Sequence, residues 1–147
     1  MFDNGHISFT YDENTHVTTC VRKGKHYIYT GSAKCHPSDY DFESKLVGEH
    51  YAFVRSTIAE MVAKRNEIKA NIKLLAHIYN ILELRPDFNY ESTECYVLRR
   101  QLKNLERDLE DIKMLIKNTR KELYEFIYTK DNYYNTVRAA RKAAMEE

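Results

Sequence analysis

The chain has 147 residues, 43% of them apolar, a size and composition that suit one domain with its own core. With 23 Lys and Arg against 22 Asp and Glu, the formal charge of +1 gives no general field for drawing in nucleic acid or an anionic membrane, so any anion site must be local. The apolar runs are too short to cross a bilayer, the opening MFDNGHIS lacks the basic and apolar regions of a signal peptide, and Cys20, Cys35 and Cys95 are spaced as free thiols of a reducing compartment, so a cytoplasmic protein is expected.

Along the chain, Ile7, Phe9 and Tyr11 alternate with His6, Ser8 and Thr10, the period of a strand with one apolar face. Asp12 to Asn14 reads as a turn, and His16 to Arg22, rich in β-branched residues, as a second strand. Lys23-Gly24-Lys25 offers a glycine for the positive φ of a tight hairpin, from which a third strand, His26 to Thr30, returns. Gly31-Ser32 marks a bulge or bend, with Ala33 to Cys35 continuing the edge or forming a fourth strand. The head is therefore a small antiparallel sheet over residues 1–36.

His36 to Asp41 carries a helix-start signal, with Pro37 near a first turn and Ser38 or Asp39 as cap. Only 4 Gly and 2 Pro occur in the chain, so the elements that follow should be long. A first helix over 38–84 shows an apolar stripe from Val47 through Tyr51, Val54, Ile58, Met61, Arg65, Ile68, Ile72, Leu75 and Tyr79 to Leu82, in the alternating steps of four and three of a coiled-coil seam. Arg85-Pro86-Asp87 stops it. After Phe88, Asn89 and Tyr90, a second helix over 92–144 repeats the pattern from Leu98 to Ala140. The expected class is α+β, a small N-terminal antiparallel sheet followed by two long antiparallel, coiled-coil-like helices in a single domain. Leu46, Phe53, Leu74, Ile78 and Ile81 lie off the first seam, and Leu115, Ile127 and Tyr134 off the second. That surplus apolar flank predicts self-association.

Catalytic signatures are missing: no G-x-S-x-G, P-loop, H-E-x-x-H or dinucleotide fingerprint frames the Ser, Cys and His residues, so no enzyme is expected. Cys35-His36 lacks the spacing of a zinc pair, and neither metal nor cofactor is expected. Arg22, Lys23, Lys25, His26, Lys34 and His36 lie beside Tyr27 and Tyr29, a mixture suited to phosphates and stacked bases, although a solvated hairpin tip explains the lysines as well. Arg99, Arg100, Asn104 and Arg107 offer forks for phosphate; Glu106, Asp108, Glu110 and Asp111 between them favour ordinary pairing along a helix surface. Arg65 puts a charge in an apolar stripe, which suits a register-setting role. Arg55, one step after Val54, faces back toward the head, and Arg138, Arg141 and Lys142 form a basic cluster in the tail.

Thr18-Thr19-Cys20-Val21, the Gly24-Lys25 hairpin, Gly31 through Phe42, Lys45-Leu46-Val47-Gly48 and Ala52-Phe53-Val54-Arg55 resemble a family of small bacteriophage proteins, the first type of Thoeris anti-defence protein. The resemblance covers about 40 residues around the head. It implies a non-enzymatic sponge that sequesters cyclic ADP-ribose isomers made by bacterial TIR immune enzymes, with cyclic oligonucleotides at separate sites in some members. It further implies a homo-oligomer, a dimer or hexamer, with pockets between protomers in the cytoplasm of an infected bacterium. The family's pocket uses arginines, an asparagine and an aromatic. No motif places these here, so the candidates are chosen on chemistry: Tyr27, Arg55, Phe88, Asn89, Arg99, Arg100, Arg138 and Arg141. A coiled-coil adaptor that binds another protein explains the helices equally well, and a nucleic-acid module fits the near-neutral charge less well.

Overall fold

The computed structural model describes residues 5–35 and 45–146, apart from the side chains of 128, 130–134, 137 and 138. Strands β1 (His6–Asp12), β2 (Val17–Lys23) and β3 (Ile28–Lys34) form an antiparallel sheet in the order β1-β2-β3 and precede two helices, α1 (Lys45–Glu83) and α2 (Thr93–Glu146). This is the α+β arrangement expected from the sequence. The helix start expected at His36 to Asp41 lies outside the described residues. The chain divides into two compact units, Met1–Glu60 with Asn118–Glu147, and Met61–Lys117.

In the first unit, register pairs Phe9 with Cys20 and Cys20 with Gly31, so Ile7, Phe9, Tyr11, Thr18, Cys20, Arg22, Tyr29, Gly31 and Ala33 share one face of the pleat. Helix α1 presses on this face. A Cβ on Gly31 would lie 2.2 Å from the Ala52 carbonyl oxygen and 2.3 Å from the Ser56 nitrogen, so only glycine admits the helix backbone there. Small side chains make the contact: Cys20, Ala33, Ala52 and Ser56 are buried, and the Cys20 thiol donates to Ser56 Oγ at 3.8 Å. In the same stretch of α1, His50 and Tyr51 meet Phe126 of α2 edge-on, at 4.7 and 5.1 Å between ring centroids. Strand β1 is open to solvent, with Ile7 54% and Phe9 38% exposed.

Three expectations for the head need correction. Gly31-Ser32 is no bulge: β3 runs unbroken and pairs residue for residue with β2, and the glycine serves the close approach of α1. Gly24 does not take a positive φ. A four-residue connection between Lys23 and Ile28 turns the chain without it, held by the Gly24 amide donating to the Tyr27 carbonyl at 3.0 Å. The left-handed residue is His16, at φ 56°, which ends the β1–β2 turn instead of starting a strand. Its amide donates to the Asp12 carbonyl at 2.8 Å and its imidazole Nδ1 meets the Tyr11 hydroxyl at 3.1 Å.

In the second unit, Tyr79 of α1 lies beside Arg99 of α2, and Asn71, Leu74 and Leu75 lie across from Gln101, Asn104 and Leu105, so the helices run antiparallel. Their turn is built from local bonds. The Leu84 and Arg85 amides donate to the Ile81 and Leu82 carbonyls at 3.1 Å, tightening the last turn before Pro86. Ser92 Oγ accepts the Cys95 amide at 3.3 Å and caps α2.

The seam residues from Val47 to Leu82 and from Leu98 to Phe126 are all buried or half-buried. Ala140 is exposed, while Lys130, Tyr133 and Val137 lie outside the described side chains. Of the off-seam residues, Leu46, Phe53, Leu74, Ile78, Ile81 and Leu115 are exposed and Ile127 is half-buried; the Tyr134 side chain lies outside the described set. Arg65 sits half-buried in the seam with its Nε lacking a hydrogen-bond partner, a local cost of the kind that polar seam residues carry.

Candidate functional site

The eight chemically chosen residues fall into two groups. Phe88, Asn89, Arg99 and Arg100 belong to the second unit, Tyr27, Arg55, Arg138 and Arg141 to the first. In the first unit, Tyr27 stacks on Tyr29 at 5.0 Å and 24°, and Arg55 Nη1 donates to the Ser32 carbonyl of β3 at 2.6 Å. Among the described residues, no hydrogen bond or ring contact joins Tyr27 to Arg55. Arg141 is exposed on α2, and the Arg138 side chain lies outside the described set.

Of the other cations of the head, Arg22 also bonds to α1. Arg22 is half-buried, pairs with Glu60 of α1 at 2.6 Å and lies over the Phe53 ring at 5.6 Å. It ties the centre of the sheet to the helix.

The second unit assembles its four candidates around the inter-helix connection. Asn89 is a turn residue: its Oδ1 accepts the Glu91 amide at 3.0 Å and its carbonyl accepts the Ser92 amide at 3.0 Å. Phe88 packs at a right angle to Tyr79, 6.4 Å between centroids. Arg99 clasps the connection, donating from Nη1 to the Tyr90 carbonyl at 2.7 Å with its guanidinium 3.7 Å from the Tyr90 ring centroid. Hydrogen bonding with Tyr79 pushes Arg99 above the ordinary guanidinium value, so it remains a cation at any working pH.

One turn further, the chemistry changes. Tyr96, Arg99, Arg100, Lys103 and Asn104 line an open groove of about 420 Å³ on α2. Their spacing places them together because helix residues three and four apart are neighbours. Arg100 Nη1 reaches the Tyr96 hydroxyl at 3.4 Å. Among the described residues, none of Arg99, Arg100 and Lys103 is paired with a carboxylate, whereas Lys113 and Glu110 further along α2 do pair, at 3.5 Å. The ordinary pairing favoured by the sequence is therefore absent where the arginines cluster. Like charges one turn apart repel by roughly 0.2–0.5 kcal/mol per pair, which a bound anion would relieve.

Tyr96 and Lys103 were not among the sequence candidates. The signal for them was the i, i+4, i+7, i+8 series Tyr96, Arg100, Lys103, Asn104, one face carrying an aromatic, two cations and an amide. Among the described residues, no group of three or more His, Cys, Asp and Glu could hold a metal ion, and no helix is long and apolar enough to cross a membrane. Comparisons with protein-family models, with curated proteins and with solved structures each give no match.

Proposed function

We propose that this chain binds and sequesters a small anionic nucleotide without turning it over. The observation that carries the reading is the groove on α2, where Arg100 and Lys103 lack carboxylate partners and lie between the Tyr96 ring and the Asn104 amide. Arginine forks suit phosphate, a ring suits a sugar or base face, and an amide reads a polar edge. Joined to the resemblance of the head to Thoeris anti-defence proteins, the ligand is a cyclic ADP-ribose isomer, with cyclic oligonucleotides as a second class. The setting is the cytoplasm of a bacterium under phage attack. Self-association through the exposed Leu74, Ile78 and Ile81 flank forms part of the reading, because tight capture needs a closed site and one helix face is open.

Calorimetry of the full chain with cyclic ADP-ribose isomers, a cyclic dinucleotide, inorganic pyrophosphate and single-stranded DNA tests it. Binding of a cyclic ADP-ribose isomer, with the ligand recovered intact after denaturation, is expected. Arg100→Ala with Lys103→Ala should weaken it at least tenfold, since each charge-assisted hydrogen bond contributes about 1.5–3 kcal/mol. No heat with any nucleotide would overturn the reading. The exposed Leu74, Ile78 and Ile81 also favour a second one, a coiled-coil adaptor, which predicts a protein partner and no nucleotide binding.

A further inference from the structure

Beside the cationic groove lies a cleft of about 430 Å³ between the helices, with Leu74 and Leu75 of α1 on one side and Leu105 of α2 on the other. Its polar rim consists of Asn71, Gln101 and Asn104. No charged side chain lines it. Among the described residues, none of these three amides has a hydrogen-bond partner. Asn104 lines both the cleft and the groove, so the two adjoin at that residue.

We infer that this cleft seats the heterocyclic base of a nucleotide whose phosphates rest on Arg100 and Lys103. The inference rests on the reading proposed above and adds the part of the ligand that gives selectivity. A phosphate would gain no cation in the cleft, whereas a flat neutral ring fits between leucine walls. Each amide offers a donor and an acceptor together, the pattern that pairs with the N6/N7 edge of adenine. An apolar partner helix is the poorer occupant, because it would desolvate three amides without satisfying them. Gln101 and Asn104 lie on adjacent turns of α2 and Asn71 faces them from α1, so a planar edge entering between the helices meets donors and acceptors from both sides.

Two probes separate the two parts of the site in the full-length chain: cyclic ADP-ribose and inorganic pyrophosphate. Gln101→Leu, at a residue of the cleft that is not part of the groove, should weaken cyclic ADP-ribose at least tenfold and leave pyrophosphate affinity within twofold. Asn71→Leu, on the other helix and outside the cationic groove, should do the same while nearly keeping side-chain volume and adding no charge. Parallel loss of both probes, or no change in cyclic ADP-ribose affinity in either variant, would overturn the base assignment while leaving nucleotide binding in place. A wild-type protein that binds neither probe would overturn this inference, and one that also binds no other cyclic ADP-ribose isomer and no cyclic dinucleotide would overturn the functional reading with it.

Discussion

The two units use the same cation in opposite ways. In the sheet-bearing unit, Arg22 is fixed by Glu60 at 2.6 Å and Arg55 by the Ser32 carbonyl at 2.6 Å, because a sheet edge and a helix laid against it bring acceptors within reach. In the all-helical unit, Arg100 and Lys103 project from a face whose backbone carbonyls are already bonded within the helix, and no carboxylate meets them. The packing differs in the same sense. The sheet and α1 approach through Gly31, Ala33, Ala52 and Ser56, while the helix pair meets through Leu and Ile side chains. Close backbone approach turns Arg22 and Arg55 into fastenings, and in the helical unit Arg99 is one as well, whereas Arg100 and Lys103 on the open helix face meet no carboxylate.

The contrast breaks most severely at Gly31. Gly31→Val would drive its Cβ to within 2.2 Å of a backbone oxygen and 2.3 Å of a backbone nitrogen, neither of which can swing aside. A loss of about 3 kcal/mol in urea denaturation is expected; a change below about 0.5 kcal/mol would show that α1 does not press there. In the helical unit the matching disruption is Leu105→Asp, which places a carboxylate on the half-buried seam and should cost roughly 2–3 kcal/mol. A variant with unchanged stability and unchanged association, read by denaturation and by analytical ultracentrifugation, would contradict the register.

Arginine exchanges then sharpen the comparison. Arg55→Ala removes a side-chain bond to β3 and should lower stability by about 1 kcal/mol with cyclic ADP-ribose affinity unchanged. Arg100→Ala should show the reverse: stability within about 0.5 kcal/mol and at least tenfold weaker binding. Equal effects of the two on binding would erase the distinction between the units.

Much of this architecture was readable beforehand where a repeating pattern carried it. The four-three stripes match burial from Val47 to Leu82 and from Leu98 to Phe126, since burial follows periodicity, while Ala140 at the end of the second stripe is exposed. Single positions were harder. His16 and His26 read as strand residues, yet both lie in turns, because alternation does not register a left-handed φ or a four-residue connection. Gly31 reads in sequence as a bulge or bend, whereas its cause is a helix about 20 residues later in the chain. In the candidate site, Arg99 and Arg100 are neighbours of the same residue type, and only three-dimensional contacts distinguish the clasp on Tyr90 from the groove cation. Asn89 and Phe88 had the right chemistry for a ligand, but local backbone bonds and the Tyr79 ring engage them first. Whether Lys103 meets a carboxylate depends on rotamers, which spacing does not set.

The smallest expected effect concerns the β1–β2 turn, where backbone amides of the sheet unit hold an exposed anion. The Asp12 carboxylate accepts the Asn14 amide at 2.8 Å and the Thr15 amide at 3.3 Å, and these bonds hold its pKa below the ordinary 3.8. A carboxyl whose folded pKa is depressed stabilises the fold above its unfolded value, and that contribution disappears as pH falls through the lowered folded value. The stability difference between the wild type and Asp12→Ala should therefore be constant near neutrality and shrink only below about pH 4. Because the group is fully exposed, the difference will be small, and the clearer measurement is the carboxyl chemical shift of Asp12 through an acid titration. A midpoint at or above 3.8 would mean that the turn amides do not hold the Asp12 charge, which is then left to solvent, unlike the Glu60 carboxylate that Arg22 holds.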